Sequence, residues 1–347
     1  MKKRNVINLI RYHSERNEPA FRAEALAIAQ EFDKAGDAQL AEYIMALLSD
    51  ANTFVPQMDE TPCFLSAVGP AVSTLPLPEA IASDISGITN AIRGNVGVNK
   101  FLFQGPPGTG KTEAAKQIAR ILNRNMFMVD FDLLIDSKLG QTGKNIDALF
   151  SEISSFRHPE RVIVLFDEID ALALDRSSSN DVREMSRATS ILLRELDRLD
   201  DSIALIATTN LFDSFDRALV RRFDACVNFD RYSQDDLVEI AEVIANELLP
   251  QFKNAGRDMR LFKKILSLSS GLPYPGDLRN MIKSAIAFSD SESEYDYLKR
   301  LYRQLTNSAA IDVNVLKEQG FTVREMEKLT GISKSTLSRQ LSGGSDE

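Results

Sequence analysis

The sequence feature that most constrains this chain is the segment GPPGTGKT, from Gly105 to Thr112. It fits the phosphate-loop pattern G-x-x-x-x-G-K-[ST], which needs a strand before it and a helix after it. An apolar run at 101–103 precedes the segment, and a run with helical spacing follows at 113–122. This context predicts a loop that wraps phosphate with backbone N–H groups at a helix N-terminus, and it disfavours a simple glycine-rich turn.

Every residue of this loop is a candidate contact for the phosphates of ATP. Lys111 is expected to reach the β- and γ-phosphates, and the hydroxyl of Thr112 is expected to bind Mg²⁺. The candidate nucleotide-binding residues are Gly105, Pro106, Pro107, Gly108, Thr109, Gly110, Lys111 and Thr112. The sequence therefore predicts ATP and Mg²⁺ as cofactors.

The order of apolar runs predicts the fold class. Strand-like and helix-like segments alternate from about residue 98 to 229, and only helical segments follow. This alternation predicts an α/β fold: a P-loop αβα domain with a parallel sheet and a helical lid, plus small all-α units at both ends. The expected divisions are a helical partner-binding unit at 1–55, a linker at 56–78, a nucleotide-binding domain at 79–230, a lid at 231–305 and a helix-turn-helix at 308–343.

Two carboxylates, Asp167 and Glu168, directly follow the apolar run at 162–166. Open α/β sheets bind their ligands at the carboxyl ends of the strands. Asp167 is therefore expected in the shell of the Mg²⁺ ion, and Glu168 is expected to be the general base that activates water. Acidic residues after a strand are more often only a solvated turn, and the phosphate loop is what favours the catalytic interpretation here.

A further apolar strand at 202–207 leads to Asn210, and an arginine pair, Arg221 and Arg222, comes later. Asn210 is expected to orient the attacking water, although asparagine at such a position often only caps a turn. Because Lys111 already serves the subunit's own phosphates, we expect the arginines to donate to the γ-phosphate in a neighbouring subunit. Surface ion pairs are the alternative for two isolated arginines.

These segments, in this order, resemble the AAA branch of the AAA+ ATPases, the group that contains FtsH, katanin and spastin. The resemblance covers roughly residues 80–290. It implies an AAA+ αβα domain with a helical lid, Mg-ATP hydrolysis and a ring, usually hexameric, with sites at subunit boundaries. By the same resemblance Asn210 is similar to sensor 1, and Arg221 and Arg222 are similar to arginine fingers. Arg279, within GLPYPGDLRN, is similar to the sensor 2 arginine of the lid.

One segment departs from the pattern of the family. Protein-threading relatives carry an aromatic residue in a pore loop, where this chain has Lys138 followed by Leu139. The lysine stem can still pack on a substrate, but it grips with less apolar area and adds a charge. Unfolding of proteins in general is therefore not implied, and a plain surface loop at 136–143 is the alternative.

The segment 321–343 has the pattern of a helix-turn-helix. Thr322 is expected to cap a first helix, Gly331 to form the turn and Ser333 to cap a second helix. The unit resembles the tail domains of serine recombinases, and a helical hairpin for protein contacts is the alternative. The second helix offers five side chains to DNA: Lys334, Ser335, Thr336, Arg339 and Gln340.

Composition limits the classes of partner. With 41 Lys and Arg against 50 Asp and Glu, the chain has a net charge of -9, which argues against coating nucleic acid through bulk charge. Cys63 and Cys226 stand far apart without histidines at metal spacing, so neither a disulfide framework nor a zinc site is indicated. We find no secretion signal and no apolar run of membrane length, so a cytoplasmic protein without a membrane partner is expected.

Taken together, these features favour an oligomeric Mg-ATPase that remodels a protein or protein–DNA partner. A weaker resemblance, carried by SKLGQTGKN and RRFD, is to bacterial AAA ATPases encoded beside subtilisin-like proteases, and it implies a partner protease. Two alternatives stay open. One is an ATP-gated regulator bound to DNA through 308–343, and the other is an antitoxin-like inhibitor that restrains a protease or nuclease through its N-terminal unit.

Overall fold

A computed structural model of the chain shows two compact units, Met1–Thr61 and Pro62–Glu347. The structure describes residues 3–15, 18–34, 62–69, 75–135, 140–172, 179–212, 216–252, 254–269, 271–290, 292–308 and 310–342. Among these residues, every strand belongs to the second unit.

The first unit is helical where it is described. Helix α1 (Lys3–Ser14) packs against helix α2 (Glu18–Lys34). Ala25, Ile28 and Ala29 are buried on α2, and their spacing of three and four residues is the one that places side chains on a single helix face. That this unit binds a partner stays a prediction.

The second unit is built on one six-stranded sheet in the order β1-β3-β4-β5-β2-β6. The strands are β1 (Leu65–Val68), β2 (Lys100–Gln104), β3 (Asn125–Val129), β4 (Val162–Phe166), β5 (Ala204–Thr209) and β6 (Ala225–Asn228). All strands from β3 to β6 in this order pair in parallel. Every residue of β4 and β5 is buried, as expected for a parallel sheet that helices cover on both faces. The predicted P-loop αβα fold is confirmed.

Helices connect these strands and cover the sheet. They are α3 (Glu79–Gly94), α4 (Lys111–Leu122), α5 (Phe131–Leu134), α6 (Gln141–Ser154), α7 (Ser179–Arg198) and α8 (Arg217–Val220), with short 3-10 turns at Pro159–Arg161 and Ile169–Leu172. Ile81, Ile85, Ile88 and Ile92 of α3 all pack into the core beneath β2. Their spacing of three and four residues gives α3 one continuous apolar stripe, which fixes the face that it turns to the sheet.

The segment expected to be a linker, 56–78, differs from that expectation. Within it lies β1, which pairs antiparallel with β3 and places Leu65 opposite Val129. The backbone N–H groups of Cys63 and Phe64 both donate to Glu152 Oε2 at 3.2 Å, which anchors the start of the strand. The prolines suggested an irregular connection because they cannot donate to a sheet, but they flank the four paired residues.

The helical lid begins after β6. It comprises α9 (Gln234–Leu248), a 3-10 turn at Leu249–Gln251, α10 (Met259–Leu266), α11 (Pro275–Ala287) and α12 (Asp296–Thr306). Ser233 and Asp236 form a reciprocal capping box at the start of α9, so the first turn of the lid is fixed by local side-chain chemistry. The lid expected at 231–305 thus has helices throughout its described part.

Three further helices follow the lid: α13 (Val313–Glu318), α14 (Val323–Thr330) and α15 (Lys334–Ser342). We expected a separate unit at 308–343, but the structure shows one continuous core. Leu316, Phe321, Met326, Leu329 and Leu337 are buried in the same cluster as the apolar residues of the lid. Helices this short bury too little surface to form a core alone, and they share that of the lid.

None of the helices in the described part of the chain is long and apolar enough to cross a membrane.

The shared core predicts that damage in the last helix reaches the lid. Leu337 is fully buried, so Leu337→Ala should cost about 2–5 kcal/mol of unfolding free energy. Urea unfolding measures this cost, and hydrogen exchange should show reduced protection in α12 as well as in α15. The matched control is Leu341→Ala, which alters a partly buried leucine of the same helix and should cost less. Reduced protection confined to α15 would contradict a shared core.

Candidate functional site

Parallel strands β4, β5 and β2 are neighbours, so their carboxyl ends meet at one edge of the sheet. The phosphate loop follows β2, the two carboxylates follow β4, and Asn210 follows β5. The structure therefore brings together the three segments that the sequence singled out separately. This edge is where open α/β sheets bind ligands.

Lys111 lies at the centre of this edge. Its ammonium Nζ donates to Gly105 O at 2.7 Å, Pro106 O at 2.9 Å and Asn210 Oδ1 at 2.7 Å. Burial lowers the pKa of Lys111, while the nearby carboxylates of Asp167, Asp170 and Glu168 act in the opposite direction. The side chain is thus a buried cation held by carbonyl groups at the beginning of α4.

Asp167 is held by two hydroxyl groups. Thr112 Oγ1 donates to its Oδ1 at 2.9 Å, and Thr208 Oγ1 donates to the same oxygen at 2.7 Å. Thr112 and Asp167 were predicted to share a metal ion, and their oxygens are adjacent here. A hydroxyl beside a carboxylate is the kind of oxygen pair that Mg²⁺ uses when waters and phosphates fill its other positions. These two residues therefore fit the ion.

Thr208 is a site residue that the sequence did not assign. Besides donating to Asp167, its Oγ1 accepts from the backbone N–H of Glu168 at 2.8 Å. Thr208 is 1% exposed, so water cannot replace either bond. A polar residue at the end of an otherwise apolar buried strand was the available signal, but its partner on β4 became visible only in the sheet.

Glu168 adopts an unusual backbone conformation. Its φ is +56°, in the left-handed region where residues with a side chain carry strain. This conformation follows the buried strand directly and leaves the Glu168 side chain exposed, where Asn210 Nδ2 donates to its Oε1 at 3.3 Å. Asn210 therefore contacts both Lys111 and Glu168, the two groups between which a terminal phosphate and a water would have to lie.

The lid contacts the phosphate loop through glycine. Gly276 N donates to Gly108 O at 2.9 Å, and a Cβ atom on Gly276 would lie only 2.9 Å from Gly108 Cα. Gly108 has a φ of +78°, which favours glycine there as well. Any side chain at position 276 would separate the lid from the loop.

Tyr232 is a second contact between the lid and the loop, also unassigned by the sequence. Its hydroxyl donates to Thr109 O at 2.7 Å, and its ring packs against both the core of the sheet and the core of the lid. Burial, aided by the charge of Asp236, raises the pKa of Tyr232 to about 12. The hydroxyl therefore stays protonated and remains a donor at physiological pH.

A cavity of about 630 Å³ opens between these groups, a size within the range of small-molecule sites. Lys111, Asp167, Glu168 and Asn210 lie on its polar side. Leu75, Pro76 and Leu77 form an apolar wall, suited to the flat face of a base. The sequence predicts a linker here because prolines gather in this segment and few positions match a helical period.

Arg279 lines the same cavity, as its assignment to the nucleotide requires. Its guanidinium Nη2 donates to Glu247 Oε2 of α9 at 2.7 Å. The side chain is thus partly engaged within the lid, and its contact with a phosphate stays a prediction.

The two arginines of the pair differ from each other. Both precede β6, and Asp224 N donates to Lys100 O, so they lie at the edge where the strands begin. Strand β6 follows them in the chain, and the phosphate loop follows the neighbouring parallel strand β2 at the other end of the sheet. Arg222 Nε pairs with Asp197 at 3.1 Å, as in the surface ion-pair alternative, whereas Arg221 is exposed and makes no ion pair within the described residues.

Two predicted substrate contacts, Lys138 and Leu139 of the pore-loop segment, lie outside the described residues. Five predicted DNA contacts are described, and all are exposed on α15: Lys334, Ser335, Thr336, Arg339 and Gln340.

Comparisons with known proteins indicate the family that this domain resembles. Residues 101–231 match the model of the ATPase family associated with various cellular activities (AAA). An uncharacterised AAA family ATPase, y4kL of Sinorhizobium fredii, is 40% identical over 156 residues, which cover 45% of this chain and 44% of the relative. The proteasome-activating nucleotidase of Methanoculleus marisnigri is 30% identical over 211 residues, covering 58% of this chain and 49% of the relative. The chain thus spans about half the length of these curated relatives.

A solved structure supports the fold. The AAA domain of FIGL-1 in complex with ADP superposes with a TM-score of 0.52 at 18% identity, covering 75% of this chain and 94% of that chain. Over residues 101–231, the resemblance to the AAA ATPases inferred from the phosphate loop, the carboxylates, Asn210 and the arginine pair is confirmed.

The double role of Thr208 predicts the effect of removing its hydroxyl. Thr208→Val keeps the volume of the side chain but leaves the Glu168 N–H without an acceptor, which should cost about 1–3 kcal/mol of unfolding free energy. Chemical denaturation measures this loss. Thr208→Ser keeps the hydroxyl and should retain most of the stability. Equal losses in the two variants would mean that packing, and not the hydroxyl, is what matters.

Proposed function

Because this chain carries an ATPase domain of the AAA family, we propose that it hydrolyses Mg-ATP as an oligomer and uses the energy to remodel a protein or protein–DNA partner. One observation carries the proposal. Lys111, Asp167, Glu168 and Asn210 converge on one cavity at the carboxyl edge of the sheet. Each has the chemistry that phosphoryl transfer to water requires.

Binding of the nucleotide uses the phosphate loop and the lid together. The loop N–H groups and Lys111 bind the β- and γ-phosphates, and these oxygens compete with the carbonyl groups that now accept from Lys111. Thr112 and Asp167 would hold Mg²⁺, which would supply positive charge to offset the charge that develops on the phosphates. The base of the nucleotide packs on the apolar wall at 75–77.

Glu168 is the proposed general base. Its carboxylate accepts a proton from the water that attacks the γ-phosphate, and Asn210, within 3.3 Å of that carboxylate, orients the water. Thr208 positions both acids through its hydroxyl. The strained backbone at Glu168 places the side chain at the cavity and away from the apolar core.

The remaining charge on the transition state is stabilised from a neighbouring subunit. Arg221 and Arg222 precede β6, at the end of the sheet opposite to the one that carries the subunit's own loop, and this supports a role at the site of a neighbour. Arg221 has the exposed guanidinium, and it is the stronger candidate for the arginine finger. Arg222 pairs with Asp197 and so fixes the backbone next to Arg221.

The proposed partner is a protein or a protein–DNA complex in the cytoplasm. Support comes from the similarity to a relative named as a proteasome-activating nucleotidase. The N-terminal unit at 1–55 is the proposed selector of the partner, a protease being the candidate class, and Lys138 and Leu139 are the proposed substrate contacts in a hexameric ring.

A second candidate function is binding of duplex DNA through 308–343. The observation that favours it is the exposed face of α15, which carries Lys334 and Arg339 and no acidic residue from 334 to 342. Side chains of this kind bind phosphates and base edges in the major groove. The DNA contact would localise or regulate the ATPase.

Two substitutions separate binding from hydrolysis. Lys111→Ala should abolish ATP binding because it removes the only cation that the loop supplies. Glu168→Gln should keep binding and lower turnover by at least about 100-fold, since the amide cannot accept the proton. Fluorescent ATP titration and a phosphate-release assay measure the two quantities. Turnover by Glu168→Gln at the wild-type rate would refute its assignment as the base.

Mixing two inactive variants tests the arginine in trans. Arg221→Ala should keep ATP binding and lose about 10³-fold in turnover, while its own Glu168 stays intact. Glu168→Gln has the opposite defect. Co-assembled subunits should regain hydrolysis wherever a Glu168→Gln subunit supplies Arg221 to an intact site.

Arg222→Ala is the matched control for this experiment. Because its guanidinium is paired with Asp197, we expect a smaller loss of turnover than in Arg221→Ala. A mixture no more active than the sum of its two components would exclude action in trans.

A further inference from the structure

The helix-turn-helix does not stand apart from the ATPase: it is packed on the lid. Leu316, Phe321, Met326, Leu329 and Leu337 belong to the core of the lid, and helix α14 packs against α12. A helix-turn-helix that binds DNA while packed in this way has residues of the lid beside its DNA-binding surface. The surface around the turn must therefore include groups from outside 308–343.

Ion pairs fix this position of the helices. Lys264 of α10 donates to Glu325 Oε2 at 2.8 Å, and Lys328 of α14 donates to Asp258 Oδ2 at 2.6 Å. Burial by itself would raise the pKa of Glu325, but hydrogen bonds from Lys264 and Thr322 outweigh it and lower the pKa. Burial would likewise raise the pKa of Asp258, but hydrogen bonds from Lys328 and Leu261 lower it, so both carboxylates stay charged at neutral pH and both ion pairs join the lid to the last helices.

One lysine of the lid lies beside the turn of the helix-turn-helix. Gly331 forms this turn with a φ of +76°. A Cβ atom built on Gly331 would lie 4.0 Å from Nζ of Lys299, which belongs to α12. Asp296, one turn earlier, is bonded to Arg300 at 2.9 Å, and the charge of Lys299 also helps to lower the pKa of Asp296, but Lys299 makes no ion pair within the described part of the chain. Its ammonium is thus an available cation beside the start of α15.

The carboxylate of Glu327, beside the start of α15, would repel the phosphates of DNA. Glu327 Oε1 accepts from the backbone N–H of Lys334 at 3.3 Å, and its Oε2 lies 3.6 Å from Lys334 Nζ. The first turn of the reading helix therefore holds a carboxylate where DNA would place a phosphate. A duplex must displace or tolerate this charge, whereas Lys299, near Gly331, carries the opposite charge.

We propose that the duplex-DNA surface extends onto the lid: Lys299 binds a backbone phosphate beside the turn at Gly331, and Glu327 restrains binding by occupying Lys334. This inference rests on the DNA-binding function proposed above. In helix-turn-helix proteins, contacts to phosphates fix the orientation of the reading helix, and contacts to base edges read the sequence. Lys299 therefore sets affinity and orientation, while Arg339 and Gln340 face the bases.

The test is the affinity of the full chain for a mixed-sequence duplex, measured by fluorescence anisotropy at several salt concentrations. Lys299→Gln should weaken binding several-fold for all sequences and reduce the salt slope by about 0.9, the value for one lost phosphate contact. Glu327→Gln should strengthen binding several-fold because the amide keeps an acceptor for the Lys334 N–H but carries no charge. The two substitutions thus act in opposite directions at one turn.

The matched control is Lys144→Gln, which removes an exposed lysine from α6 of the sheet domain. It should leave the affinity and the salt slope at wild-type values. Thermal unfolding of each variant verifies that the lid is intact. Equal affinities in wild type and Lys299→Gln, or a loss as large in Lys144→Gln, would overturn the proposal.

The assay also separates this inference from the proposed ATPase. Hydrolysis by the wild-type chain is measured without DNA. A chain that hydrolyses ATP but binds no duplex would overturn the DNA surface and leave the ATPase standing. A chain that binds duplex through Lys299 but never hydrolyses ATP would leave the DNA surface standing and overturn the proposed ATPase.

Discussion

The parallel alignment of β4, β5 and β2 is the constraint on which the site depends. In a parallel sheet all strands end at the same edge, so groups that follow three separate strands meet without any contact in sequence. The register places Phe166 beside Ala207 and Gln104 beside Thr209. A slip of one residue would turn Thr208 to the opposite face of the sheet, and its bonds to Asp167 and to the Glu168 N–H would be lost.

The lid depends on this edge in turn. Its contact with the phosphate loop is a close approach of two backbones, at Gly108 and Gly276, supported by the hydroxyl of Tyr232. Because Tyr232 packs against the cores of both the sheet and the lid, a shift of the lid has to move a group that bonds the phosphate loop. This gives the lid a direct mechanical connection to the phosphate loop.

The last three helices extend that connection to the C-terminus. Four of their apolar side chains, together with Phe321 between α13 and α14, complete the core of the lid, so we expect these helices to move with the lid. Whatever binds α15 would then act on the lid, and through Gly276 on the phosphate loop. Removal of the segment would uncover an apolar surface on the lid, so point substitutions on α15 are a cleaner probe of its role than truncation.

The sequence alone determined the parts of the site that are local in the chain. The phosphate loop, the carboxylates after β4 and Asn210 after β5 each follow a buried strand, and residue type with spacing was sufficient to identify them. Hydrophobic periodicity also predicted the αβα fold and the helical lid. Patterns with periods near 3.6 and 2 are local properties of the chain, so the sequence alone records them.

Only the tertiary structure decided which of these groups act on each other. The bonds of Thr208 and Tyr232, the apolar wall at 75–77 and the strand β1 join residues far apart in sequence, and no local pattern records such pairing. The same holds for the difference between Arg221 and Arg222, which is set by the position of Asp197. The tertiary structure also decided the position of Lys299 beside Gly331, because the shared core of the lid and the last helices brings α12 to this turn.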